Sequence, residues 1–133
     1  MNIKQGDLVA VFGSLRKGHG NNILLQNEKF LGTTKTKDKF KMFSFGAFPG
    51  LNINGDTNIV VDVYRIKNNH TPDRLDMLEG YPDFYNRKKI NTKFGDAWIY
   101  FNEDNLEDRL VVENGDWTLY CINKKEKHAD NNE

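Results

Sequence analysis

The sequence predicts a single α+β domain, a small mixed or antiparallel, barrel-like sheet with a few short helices. Short apolar runs rich in β-branched residues recur along the chain, and helical patterns are few and brief. Strands and helices also lack the regular β-α-β alternation that a doubly wound sheet requires. With 133 residues the chain can bury one core of its own. That domain is expected over residues 1–123, with a charged, mobile tail over 124–133.

In chain order, residues 8–12 (Leu-Val-Ala-Val-Phe) read as a buried strand that runs into a glycine-rich loop. Asn21 or Asn22 could cap a short helix through residues 23–25. Residues 31–35 and 40–45 look like strands separated by a charged turn at 37–39. Residues 47–56 are turn-rich, punctuated by Pro49-Gly50 and Asn54-Gly55. The strand 59–66 follows, then a helix over 71–79, then strands 85–92 and 97–101 joined as a hairpin through residues 93–96. A last strand is expected at 119–122, with Cys121 as a small core residue.

Composition narrows the functional classes. Nineteen Lys+Arg balance nineteen Asp+Glu, so no global charge favours nucleic acid or an anionic membrane. The alternating Lys35, Lys37, Lys39 and Lys41 then read as a solvated strand edge. The single cysteine permits no internal disulfide and suits a reducing compartment. The first residues carry no apolar signal segment, and no apolar run is long enough to span a bilayer, so a cytoplasmic location is expected. His19, His70 and His128 are scattered and form no spaced ligand set, so no metal is expected.

Two constellations carry chemistry. In the segment 71–87, Thr71 offers an N-cap hydroxyl, Pro72 suits the first helical turn, and Gly80 and Pro82 end the helix. Successive residues at 100° place Leu75, Leu78 and Glu79 on one stripe. A carboxylate on the core-seeking face, near the negative end of the helix dipole, has a raised pKa and can serve as a general acid/base. The alternative is a helix-terminal Glu79 turned to solvent. Asp76 could support it or sit on a solvated face. Tyr85 and Arg87, two apart on the next strand, could orient a polar ligand or be a half-buried aromatic beside a surface cation.

The second constellation is Val11-Phe-Gly-Ser-Leu-Arg-Lys-Gly18. A strand ending in such a loop can expose several backbone N–H groups in a concavity suited to an anion, or be an ordinary strand–turn. It is not a nucleotide P-loop, because His19 and Gly20 follow Gly18 where that motif needs Lys and Ser or Thr.

Together, Val11-Phe-Gly-Ser-Leu-Arg-Lys-Gly18 and Leu75-Asp-x-Leu-Glu-Gly-Tyr-Pro-x-x-Tyr-x-Arg87 resemble the γ-glutamylcyclotransferase-like family, in its AIG2-like and γ-glutamylamine cyclotransferase branch. Phe48-Pro-Gly-Leu51, Val60-Val-Asp-Val-Tyr64, Ala97-Trp-Ile-Tyr-Phe101 and Gly115-Asp-Trp117 extend the likeness in order over residues 8–120. The resemblance implies a cofactor-free enzyme that closes a γ-glutamyl group into 5-oxoproline and releases an amine or amino acid. It implies Glu79 as the catalytic acid/base and Phe12, Gly13, Ser14, Leu15 and Tyr85 as the substrate-binding residues. The partner would be a small γ-glutamyl compound rather than nucleic acid or membrane, and the protein a monomer or weak homodimer. The family loop usually opens with Tyr where this chain has Phe12. The alternative function is a non-catalytic protein that uses the same cavity to hold a γ-glutamyl-like ligand or a macromolecular partner.

Overall fold

The computed structural model describes residues 1–131, with side chains through Lys125. Six strands form one curled sheet in the order β4-β5-β1-β3-β2-β6. They are β1 (Leu8–Val11), β2 (Lys29–Ser44), β3 (Pro49–Arg65), β4 (Asn86–Thr92), β5 (Gly95–Phe101) and β6 (Leu110–Val111). Helix α1 (Thr71–Glu79) lies between β3 and β4, and α2 (Trp117–Asn131) follows β6.

The apolar run of β1 is explained by its place in the middle of the sheet. It pairs antiparallel with β3 on one side and parallel with β5 on the other, and all four residues are buried. The predicted hairpin is present: β4 and β5 pair antiparallel, with Thr92 opposite Gly95. Its tip reaches across the curl, where the Phe94 ring fills the space over Gly32 of β2 and Lys37 Nζ donates to Asn91 Oδ1 at 2.9 Å. The sheet is therefore a half-barrel whose concave side holds the core.

Several boundaries differ from the sequence expectation. The charged turn at 37–39 lies within a continuous β2, as an irregularity between Lys35 and Lys39. Thr36 makes this possible: its hydroxyl donates to the Asp38 carbonyl at 2.7 Å and accepts the Ile59 N–H at 2.9 Å, replacing ladder bonds. The turn-rich 47–56 stretch likewise belongs largely to β3, because Asn54-Gly55 marks a bulge between the partners of Phe40 and Lys41. Neither Asn21 nor Asn22 caps the 3-10 turn Gly20–Leu25; both lie inside it and bond back to the preceding loop.

The strand expected at 119–122 is helical. The Asp116 carboxylate accepts the Leu119 N–H at 3.1 Å and starts α2. Trp117, Tyr120 and Cys121, spaced as one helix face, turn toward the core, while Leu119 and Ile122 face out. The expected mobile tail continues this helix through Asn131, and residues 132–133 lie outside the described residues. No helix among the described residues is long and apolar enough to cross a membrane.

Candidate active site

The chain leaves β1 at Phe12 and turns sharply. Gly13 has no alternative there, since a Cβ would stand 2.7 Å from the Pro49 ring. Asp62 on β3 holds the turn from beneath, accepting the Lys17 N–H at 2.9 Å and the Thr33 hydroxyl at 2.7 Å. Arg16 of this loop is buried. Its Nη1 meets Asp116 Oδ1 at 3.1 Å, and its Nε lies 3.4 Å from Asp62 Oδ1 without forming a hydrogen bond. From the 3-10 turn, Asn21 Nδ2 donates to Ser14 Oγ at 2.9 Å and Asn22 Nδ2 to the Leu15 carbonyl at 2.7 Å. Within this well-tied loop, the N–H groups of Gly13, Ser14 and Leu15 donate to no acceptor among the described residues. They form a set of unused donors in a loop held rigid by its other bonds.

Helix α1 arrives from the other side. Glu28, nearly buried at the start of β2, accepts the Lys67 and Asn68 N–H groups at 2.7 and 3.0 Å and the Thr71 hydroxyl at 3.1 Å. Thr71 thus anchors the helix sideways instead of capping it. Burial alone would push the Glu28 carboxyl up, but the bonds from Asn68, Lys67 and Thr71 hold it below the ordinary range. At the far end Gly80 takes the left-handed conformation (φ 64°) and closes the helix as expected. Leu75 is fully buried beneath, while Leu78 remains partly open to solvent.

Glu79, the last helical residue, faces a cavity of about 360 Å³ at one end of the half-barrel. It shares that cavity with Phe12, Gly13, Ser14 and Leu15 of the loop and with Tyr85. The structure therefore brings all six sequence-predicted residues together. Burial without a hydrogen-bond partner among the described residues pushes the Glu79 pKa up to about 7. The residue is half-buried, with Glu79 in the cavity wall.

The two tyrosines of the cavity cannot share its proton readily. The Tyr85 hydroxyl donates to the Pro49 carbonyl at 2.6 Å, and the Tyr100 hydroxyl to Asp76 Oδ1 at 2.6 Å. Burial, with Glu79 as a further cause for Tyr85 and Asp76 for Tyr100, pushes both phenols far above their ordinary pKa. Phe12 packs edge-on to Tyr85, with ring centres 6.5 Å apart.

Arg87 does not reach the cavity. Its guanidinium grips Asp76 with Nε–Oδ1 at 2.9 Å and Nη2–Oδ2 at 3.1 Å, donates to the Met1 carbonyl, and lies over the Tyr81 ring. It cannot orient a ligand with Tyr85, because Asp76 has captured it. The Asp76 carboxylate joins α1 to both β4 and β5, which fixes the helix end that carries Glu79. Reading the sequence alone missed Asn21 and Tyr100 as cavity residues. In the sequence Asn21 reads as a candidate helix cap. Tyr100 lies in the late-strand motif but had no assigned role. Trp98 and Trp117 are buried away from the cavity, with Trp98 Nε1 donating to Asp7 Oδ2. No cluster of three or more His, Cys, Asp or Glu among the described residues is arranged to hold a metal.

A curled sheet with an end-on cavity, a rim of unused N–H donors and one carboxyl that titrates near neutrality defines a small-ligand site with acid/base capacity. Residues 9–119 match the family described as gamma-glutamyl cyclotransferase, AIG2-like, and the chain belongs to that family. A Vibrio cholerae protein that bears the gamma-glutamylcyclotransferase name provisionally is 38% identical over 110 residues, covering 83% of this chain and 94% of that one. The solution structure of protein ytfP from Escherichia coli is 34% identical, with a TM-score of 0.67, over 83% of this chain and 95% of that one. An uncharacterized protein from Pyrococcus horikoshii shares the fold, with a TM-score of 0.78 at 24% identity, over 92% and 98% of the two chains.

Proposed function

We propose that the protein is a γ-glutamyl cyclotransferase that uses Glu79 to convert a γ-glutamyl amide into 5-oxoproline and a free amine. One observation supports this most directly: the Glu79 carboxyl, with a pKa of about 7 and no hydrogen-bond partner among the described residues, shares a cavity with the unused Gly13, Ser14 and Leu15 N–H groups.

In this reading the loop N–H groups hold the substrate's α-carboxylate and stabilise negative charge on the γ-carbonyl oxygen. The Glu79 carboxylate takes a proton from the α-ammonium, freeing the nitrogen pair to attack the γ-carbonyl. A new C–N bond closes the five-membered ring, and the old amide C–N bond breaks. Of the three ammonium protons, one remains as the lactam N–H and two reach the departing nitrogen through Glu79, which ends as it began. Both reacting groups belong to one molecule, so the site's main task is to fold it into a reactive shape. A carboxyl whose pKa lies near neutrality can both accept and return a proton.

The test is to incubate the protein with γ-glutamyl amides, dipeptides and glutathione and measure 5-oxoproline. The parent should form it, and Glu79→Gln should lose at least about 10²-fold in kcat while remaining folded. A parent that binds these compounds without converting them would be a binding protein using the same cavity.

A further inference from the structure

The cavity divides by exposure. Its floor is closed, with Leu15, Tyr85 and Phe12 at 3%, 5% and 6% exposed, whereas Leu78, Phe84 and Phe48 at its mouth are 41%, 41% and 37% exposed. The three mouth residues come from different segments: the end of α1, the α1–β4 connection and the β2–β3 connection. Phe48 and Phe84 belong to a larger aromatic group, in which Phe45 stacks on Phe48 with centres 5.2 Å apart and Phe84 stands 5.4 Å from Phe45 and 6.0 Å from Phe48. Phe84 also packs on Tyr85 at 4.8 Å, so the group is continuous with the floor. Apolar surface left open at a concave mouth marks a place for an apolar guest.

Charge sharpens the choice. Of the residues lining the cavity only Glu79 is ionisable near neutrality, and none is Lys, Arg or His. Arg109 stacks on Phe45, 4.8 Å from the ring centre, but is not part of the cavity wall. A carboxylate on the departing amine would therefore find no cation in the wall and would meet Glu79 as a like charge. We propose that the mouth formed by Leu78, Phe48 and Phe84 is the subsite for the departing amine, and that it selects amines with an aromatic or apolar body over amino acids and peptides. The inference rests on the cyclotransferase reading for which end of the substrate lies there, but its affinity test does not depend on turnover.

The experiment measures calorimetric affinity for three probes, γ-glutamylbenzylamide, γ-glutamylmethylamide and γ-glutamylglycine, with Glu79→Gln to prevent conversion. The parent's kcat/KM is measured on the same set. The benzylamide should bind about tenfold more tightly than the methylamide, the scale of one good aromatic contact. The glycine conjugate should be the poorest substrate of the parent. Adding Phe84→Ala should bring the benzyl-to-methyl ratio down toward one, a comparison that cancels any general loss of stability. Adding Phe48→Arg should improve the glycine conjugate relative to the benzylamide. Equal affinity for all three probes, or a ratio untouched by Phe84→Ala, would overturn the subsite while leaving cyclotransferase activity intact. The predicted preference without any 5-oxoproline from the parent would overturn the catalytic reading and uphold the subsite. Absence of binding by every probe, with no 5-oxoproline formed by the parent, would overturn both.

Discussion

Glu79 has an ordinary carboxyl pKa of 4.5 in the open chain and about 7 in the folded protein. Between those values the folded state keeps a proton that the unfolded chain has released, so this residue makes stability fall as pH rises through the window. Glu79→Gln should therefore match the parent near pH 4 and exceed it above pH 7. The gain is at most about 3.5 kcal/mol, each pKa unit being worth about 1.4 kcal/mol, and denaturant titrations at the two pH values will measure it. Catalysis should show the opposite preference. The parent's kcat/KM should rise with pH through about 7 as the base form appears, and a profile flat across that region would remove Glu79 from the role. Gly13→Ala forces its Cβ against Pro49 at 2.7 Å, so either the loop or the β3 entry must move. It should raise KM several-fold and cost about 1–3 kcal/mol, read from thermal unfolding and steady-state kinetics. That Glu79 shares a helix face with buried Leu75 was legible from helical periodicity. What occupies Arg87 was not, because its partner Asp76 is eleven residues away on another element and no local spacing encodes that pairing.

At the scale of elements, α1 is fixed at both ends by carboxylates that lie outside the Glu79 cavity wall. Glu28 secures its start and Asp76, through Arg87 and Tyr100, its finish. Asp76→Asn would weaken a grip on a guanidinium whose side chain is only 1% exposed. It should cost about 3 kcal/mol in unfolding free energy. Because the helix end would loosen, kcat should drop more than KM rises; an unchanged kcat would confine Asp76 to stability alone. Elements with strong local signals were readable in advance: the Gly80 stop, the β4–β5 hairpin, whose connection is shorter than the expected 93–96, and the apolar β1. Errors arose where a side chain replaced main-chain pairing. Thr36 let a charged turn become a bulge inside β2, and Asp116 turned an apolar run that reads as a strand into the first turns of α2. In both cases the period of the apolar residues was ambiguous over a few positions, and one polar side chain decided it.

For the whole molecule, Arg16 links the N-terminal loop to β3 through Asp62 and to the start of α2 through Asp116. Arg16→Leu would leave the buried Asp62 carboxylate, 2% exposed, short of its counter-charge. The expected cost is about 3–5 kcal/mol, with weakened substrate binding because the loop loses its anchor. Chemical unfolding and KM will report the two effects. Residues 16 and 116 are far apart in the chain, so this closure could be sensed beforehand only as a Gly-Asp-Trp motif without a stated purpose. The fold class was legible because runs of apolar residues announce a sheet, yet strand order was not, since pairing is a property of distant partners. The position of β1 between β3 and β5 carries one more consequence. As the chain leaves the ribosome, the strand that leads into the cavity loop emerges well before its second sheet neighbour, which appears only when residues 95–101 have been made. The pocket must therefore be completed late in synthesis, by joining the earliest strand to one of the last, a long-range closure of the kind that slows folding.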